Sequence, residues 1–153
     1  MIERELQRKI EDFRELGLPP YVPREGELHL VDRMVSTVIG ARRSGKSFRV
    51  LQAADELIGT GFISSLEQVC PVDFDNAILS TVPATDLGLI QSTFLKINPG
   101  YDLKTPLVFI LDEIHRIPGW EEYVIDLSRN PHWKVIVTGS SSKLLRDDIA
   151  TAL

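Results

Sequence analysis

One eight-residue segment of the sequence has the residue types and spacing that hold phosphate groups. Residues 40–47 read GARRSGKS and match G-x-x-x-x-G-K-[ST] at every fixed position. Glycine lets the backbone wrap closely around an anion, so that several N–H groups donate to its oxygens together. A strand-like run precedes the segment and a helical pattern follows it, which adds a helix N-terminus facing the anion. The segment therefore predicts a loop that binds nucleotide phosphates.

The side chains of this loop have distinct expected roles. Lys46 would place its ammonium group between the β- and γ-phosphates, as a predicted catalytic residue. Ser47 would give its hydroxyl to Mg²⁺. The residues predicted to bind the nucleotide are Gly40, Ala41, Arg42, Arg43, Ser44, Gly45, Lys46, Ser47 and Phe48.

Two adjacent acids follow the apolar run Leu107–Leu111. The carboxyl ends of the strands in a parallel sheet form the ligand crevice, so these acids should lie beside the phosphates. Asp112 is predicted to hold Mg²⁺, directly or through water, and Glu113 to orient and deprotonate an attacking water. A residue that can deprotonate water favours hydrolysis over transfer of the phosphoryl group to a small molecule.

A run of small polar residues follows the last predicted strand, from Thr138 to Ser142. Two interpretations of this run stay open. Ser140 is the first choice for a hydroxyl that contacts the γ-phosphate or the attacking water, as a third catalytic residue. The same run would also cap the N-terminus of the next helix.

These residues need a scaffold of alternating strands and helices, and the apolar pattern predicts one. The predicted strands are Met34–Ile39, Glu67–Phe74, Leu107–Leu111 and Lys134–Thr138. The predicted helices are Gly45–Ile58, Asp86–Leu95 with Asp86 as its N-cap, Gly119–Arg129, and one from Ser142 onward. This alternation predicts an α/β fold with a parallel sheet and helices on both faces.

An amphipathic helix is expected ahead of this core. The apolar residues Ile2, Leu6, Ile10, Phe13 and Leu16 form one stripe over residues 2–16. Residues 1–30 are therefore predicted to be an N-terminal helix and linker, and residues 31–153 a partial nucleotide-binding core. We expect the helix to pack on its own domain rather than on a partner.

The bulk composition fits a cytoplasmic globular domain. Hydrophobic residues make up 43% of the chain, yet no apolar run is long enough to cross a membrane. The net charge of −5 gives no sign of a basic face for nucleic acid. Cys70 is the single cysteine, which excludes an internal disulfide and is interpreted as a small buried hydrophobic residue.

Three segments together resemble a known family, the predicted AAA-type ATPases of archaea and bacteria. They are residues 38–47, VIGARRSGKS; residues 111–122, LDEIHRIPGWEE; and residues 137–145, VTGSSSKLL. The resemblance covers about residues 34–153, and residues 70–75 also resemble the second strand of that family. Pro118, Gly119 and Trp120 are its most specific part, because nucleotide chemistry alone does not require them.

The resemblance implies ATP and Mg²⁺ as cofactors and Mg²⁺-dependent ATPase activity. It implies a P-loop three-layer sandwich with strand order 5-1-4-3-2, here lacking the last strand and the lid because the sequence ends at Leu153. It also implies a protein partner or a neighbouring subunit that supplies an arginine. Arg42 and Arg43 would either compensate in part for that arginine or be solvated.

Other functions compete with a hydrolase that couples ATP to conformational change. The alternatives are a non-catalytic nucleotide switch, a terminase-like DNA-packaging motor and, more weakly, a small-molecule kinase. His29, His115 and His132 lack the spacing of metal ligands. His115 is interpreted as an exposed residue at the start of a helix rather than as a sensor of nucleotide.

Overall fold

The computed structural model describes residues 2–16, 35–39 and 54–139. The predicted phosphate loop Gly40–Ser47, Phe48, Ser140 and the proposed domain division at residue 30 lie outside the described residues. The elements given below are those of the described part.

The described chain alternates helices and strands, with short 3₁₀ turns between them. The helices are α1 (Ile2–Leu16), α2 (residues 54–59), α3 (Leu89–Ile97) and α4 (Trp120–Ser128). The strands are β1 (Val35–Ile39), β2 (Val69–Asp73), β3 (Leu107–Asp112) and β4 (Trp133–Gly139). All four predicted strands are therefore present, and their described ends lie within two residues of the predicted ones.

The four strands form one parallel sheet in the order β1-β4-β3-β2. This is the order 1-4-3-2 that the resemblance implied for the described strands. Each strand is separated from the next along the chain by helical structure, as a parallel connection requires. The predicted α/β class with a parallel sheet is confirmed.

Two apolar cores lie on opposite faces of this sheet. Successive side chains of a strand point to opposite faces. In β4, Val135 and Val137 accordingly join the larger core, while Ile136 joins the smaller one. Helices α1, α3 and α4 supply the larger core, and α2 supplies the smaller. The strands are thus sandwiched between two layers of helical structure.

Helix α1 packs on the same body, beside α3 and the edge strand β2. Leu6 and Ile10 are buried in the larger core, and Phe13 packs against the smaller one. The Arg14 guanidinium donates to the Glu67 carbonyl at 2.8 Å and to Asn98 Oδ1 at 2.7 Å. The described apolar residues of this helix therefore pack on its own chain, as expected.

The start of α3 differs from the prediction. Asp86 ends a 3₁₀ turn, Ala84–Asp86, and the α-helix begins at Leu89 after Gly88, which provides no side-chain cap. The Asp86 N–H already donates to the Pro83 carbonyl at 2.9 Å, so this residue belongs to the preceding turn. The prediction of Asp86 as the N-cap was wrong.

The interpretation of Cys70 as a buried hydrophobic residue is confirmed, since it lies fully buried in the larger core. Burial raises the pKa of its thiol well above the ordinary value. No helix in the described ranges is long and apolar enough to cross a membrane.

Candidate functional site at the carboxyl edge of the sheet

The polar residues predicted to do chemistry gather where the parallel strands end. The register pairs Asp112, the last residue of β3, with Thr138 of β4 and with Asp73 of β2. On the far side of β4, Ile39 at the end of β1 pairs with Gly139. The chain therefore leaves β1 towards residue 40 at the same edge of the sheet that carries Asp112.

Thr138 joins the two predicted acids. Its hydroxyl donates a short hydrogen bond to Asp112 Oδ1. The backbone N–H of Glu113 donates to the Thr138 carbonyl at 3.0 Å and to its Oγ1 at 3.2 Å. Thr138 is fully buried, so water does not compete for these bonds. One side chain thus orients the Asp112 carboxylate and holds the start of the turn that carries Glu113.

Sequence reasoning missed Thr138, because it considered Ser140 as the hydroxyl of this strand. The available signal was that Thr138 ends the predicted strand Lys134–Thr138, at the edge where the ligand is expected. The observed register then aligns Thr138, the last residue but one of β4, with Asp112. Ser140 lies outside the described residues, so its predicted role stays a prediction.

Glu113 adopts a backbone conformation that is unusual for its residue type. Its φ is 60° and its ψ is 35°, in the left-handed region. Residues other than glycine enter this region at a cost of about 1–2 kcal/mol. Among the described residues, Glu113 is the one non-glycine residue with positive φ. Such strain is maintained only by the surrounding structure and is concentrated at functional sites.

The left-handed turn directs Glu113 inward, where its side chain meets His115. Glu113 is only 4% exposed. Its Oε2 lies 2.5 Å from Nε2 of His115, whose side chain is 15% exposed. The interpretation of His115 as an exposed residue at a helix start was wrong. His115 lies in the 3₁₀ turn Ile114–Arg116, and the reversal at Glu113 brings the side chains at positions i and i+2 together.

The next residue of this turn reaches the neighbouring strand end. Arg116 Nε lies 2.5 Å from Asp75 Oδ1, just beyond β2. The Asp75 N–H donates to Asp73 Oδ1 at 2.9 Å. Although much of the Asp73 residue is exposed, partial burial of its carboxyl group raises the pKa of that group, and the charge of Asp112 adds to the shift. The turn after β3 is thus tied to the polar end of β2.

In the most specific part of the resemblance, Pro118 to Trp120, the tryptophan has a packing role in the structure. Gly119 has a φ of 84°, which suits glycine, and turns the chain into α4. Trp120 is only 2% exposed and lies in the larger core. A Cβ atom at Gly119 would lie 3.4 Å from the Cβ of Ala84, an ordinary contact. This segment therefore fixes how α4 sits on the sheet.

The described edge carries a carboxylate of the type that binds hard cations. Mg²⁺ in phosphate sites is typically held by one or two carboxylates together with phosphate oxygens and water. Asp112 supplies such a carboxylate at the strand end, oriented by the Thr138 hydroxyl. No group of three or more metal-ligating His, Cys, Asp or Glu side chains occurs in the part of the chain that the structure describes.

Comparisons with known proteins agree with this architecture. The family model described as AAA domain matches residues 32–153. An uncharacterized protein of Methanocaldococcus jannaschii is 27% identical over 132 residues, which are 86% of this chain and 27% of that protein. An uncharacterized protein of Haemophilus influenzae is 29% identical over 119 residues, which are 78% of this chain and 28% of that protein. This chain thus spans about a quarter of the length of these relatives. No solved structure matches it at a significant level.

Proposed function

Because the chain belongs to the AAA domain family of nucleotide-binding, ATPase-type modules, we propose that it binds ATP with Mg²⁺ and hydrolyses it. The observation that carries this proposal is the joined set of Asp112, Glu113 and Thr138 at the carboxyl edge of the sheet. The chain enters the phosphate-loop sequence from β1 at that same edge. This placement supports a single site formed by the phosphate loop and the two acids.

The phosphates would be held by the loop and the magnesium ion by oxygen ligands. The proposed nucleotide contacts are the backbone of residues 40–48 and the ammonium group of Lys46. Ser47 and Asp112 would hold the ion, since hydroxyl and carboxylate oxygens suit Mg²⁺. When bound, Mg²⁺ supplies charge that neutralises the phosphate oxygens as the bond to the γ-phosphate breaks.

Glu113 would be the general base, because its carboxylate follows directly on the residue that would hold the ion. It accepts a proton from the attacking water, and Ser140 would contact the γ-phosphate or that water. The buried setting of Glu113 strengthens its electrostatic interactions, since little water screens them.

The nucleotide state would be coupled to a conformational change of the protein. The Arg116–Asp75 ion pair connects the turn that carries Glu113 to the end of β2. A shift of that turn on hydrolysis would therefore reach β2. A protein partner or a neighbouring subunit would receive this motion and supply an arginine to the site.

A non-catalytic nucleotide switch is the second candidate. The observation that favours it is the burial of Glu113 and its contact with His115, which keep the carboxylate away from bulk water. A switch would bind ATP through the same loop without turnover.

The first experiment measures binding of a fluorescent ATP analogue, with and without Mg²⁺, to the wild-type protein and to Lys46→Ala. We expect magnesium-sensitive binding that Lys46→Ala abolishes, because it removes the cation facing the phosphates. Lys104→Ala removes an exposed lysine and serves as the control that retains binding. Equal binding by wild type and Lys46→Ala would contradict the phosphate-loop assignment.

Phosphate release by Glu113→Gln then separates the two candidates. For a hydrolase we expect ATP binding to persist while turnover falls by about 10²- to 10⁴-fold, the usual contribution of a general base. Glu122→Gln changes an exposed acid on α4 and should leave turnover unchanged. Binding without turnover in the wild type would favour the switch.

A further inference from the structure

His115 and Glu113 form a close pair of titratable side chains at the site, and the proposed reaction does not yet use the histidine. Their reactive atoms lie 2.5 Å apart, and their side chains are 15% and 5% exposed. Nothing in hydrolysis requires a histidine two residues after the base. The geometry points to His115 as a positioning residue that sets the orientation of the Glu113 carboxylate. This inference rests on the proposed function, because it concerns the base of that reaction.

The role proposed for Glu113 sets the direction of this hydrogen bond. A base is ionised, and an ionised carboxylate only accepts hydrogen bonds, so Nε2 of His115 would carry the proton and donate it to Oε2 of Glu113. A charge-assisted bond of this kind is short and strong when water is largely excluded. This contact restricts the orientation of the Glu113 carboxylate, which is the group that would accept the proton of the attacking water.

The Glu113 carboxylate is restrained by a contact separate from the one that holds its backbone. Glu113 sits at a strained left-handed turn, where its N–H is held by Thr138 on one side. That bond holds the backbone N–H of Glu113 and does not itself contact the carboxylate. The His115 ring, itself placed by the 3₁₀ turn Ile114–Arg116, supplies the second point that fixes the carboxylate. A base acts efficiently only when it is held within hydrogen-bond reach of the water.

The test compares His115→Leu, which removes both ring nitrogens, with His115→Gln, which keeps an N–H donor, in the full-length protein. We expect His115→Leu to lower kcat for ATP by about 10- to 100-fold, as loss of an orienting partner does, with little change in KM or in the Kd for ATP. His115→Gln should restore most of kcat. His132→Leu removes an exposed histidine at the opposite end of β4 and is the control.

The decisive measurement repeats His115→Leu in the Glu113→Gln background under single-turnover conditions. If His115 acts through Glu113, the second substitution causes no further loss. A full additional loss of the single-turnover rate in the double variant would overturn the positioning role. Equal losses of kcat in His115→Leu and His115→Gln, accompanied by a fall in Tm, would overturn it as well.

A second readout does not depend on turnover or on the folding of the His115 variants. In the NMR spectrum of the wild-type protein, the Nε2–H proton of His115 should be shifted downfield and slow to exchange, and Glu113→Gln should move it upfield. An unshifted, rapidly exchanging resonance would overturn the inference. If the wild-type protein binds ATP without hydrolysing it, both the proposed function and the positioning role of His115 are overturned. Normal turnover in His115→Leu overturns the positioning role alone.

Discussion

Two left-handed turns flank the 3₁₀ segment Ile114–Arg116, and they are built from opposite residue types. Gly119, with φ 84°, turns the chain into α4 at no steric cost. Glu113, with φ 60°, makes the equivalent reversal with a side chain that disfavours it. The glycine turn places a core tryptophan, whereas the strained turn places a buried carboxylate beside a histidine. Strain is thus present at the turn with the predicted chemistry and absent at the turn that serves packing.

Residues 112–120 form one continuous part of the segment that resembles the family, yet the two ends of this stretch have different roles. Asp112 and Glu113 are held by Thr138 at the site, while Trp120 is held in the larger core. Substitutions at the two ends should therefore separate activity from stability.

The largest effect on stability is expected for Trp120→Ala. Removing this buried side chain leaves a cavity beneath α4, and we expect a loss of about 3–5 kcal/mol in the free energy of unfolding. Chemical denaturation measures it. Leu103→Ala truncates an exposed leucine and should change stability little. A small loss in Trp120→Ala would show that the packing end of the stretch does not anchor α4.

A smaller effect, at the site end, is expected for Thr138→Val. This change keeps the shape of the side chain but leaves Asp112 and Glu113 without the hydroxyl, at a cost of about 1–3 kcal/mol in stability. Turnover measured well below Tm should also fall, unlike in Trp120→Ala. Thr138→Ser retains the hydroxyl and should retain most of the stability and most of the turnover. Wild-type turnover in a folded Thr138→Val protein would contradict the linking role of Thr138.

The smallest effect is expected for Gly119→Ala. The new Cβ has room, so the expected loss of about 1–2 kcal/mol comes from the left-handed backbone alone. Thermal denaturation measures it, and turnover of the folded protein should remain normal. Gly100→Ala, where a Cβ would meet open space, is the matched control. Equal Tm values for the two variants would show that the turn at Gly119 relaxes freely.

Much of the scaffold was predictable because short stretches of sequence indicate each element. A parallel strand that is buried on both faces is a continuous apolar run, as in β3 and β4. The helix α1 is indicated by apolar residues that recur every three or four positions. The boundaries of α3 were not predictable in this way. The turn at Pro83 takes up the N–H of Asp86, and the residue that looks like a cap belongs to the element before it.

The sequence by itself determined the chemical types at the site: a phosphate-loop pattern, an acid pair after an apolar strand, and a polar end to the last strand. Only the tertiary structure decided how Asp112, Glu113, Thr138 and His115 meet. Strand register selects Thr138 as the partner of Asp112. The left-handed turn that brings His115 to Glu113 opposes the backbone preference of glutamate. Local sequence cannot encode a conformation that only the surrounding contacts stabilise, so this contact emerges from the fold alone.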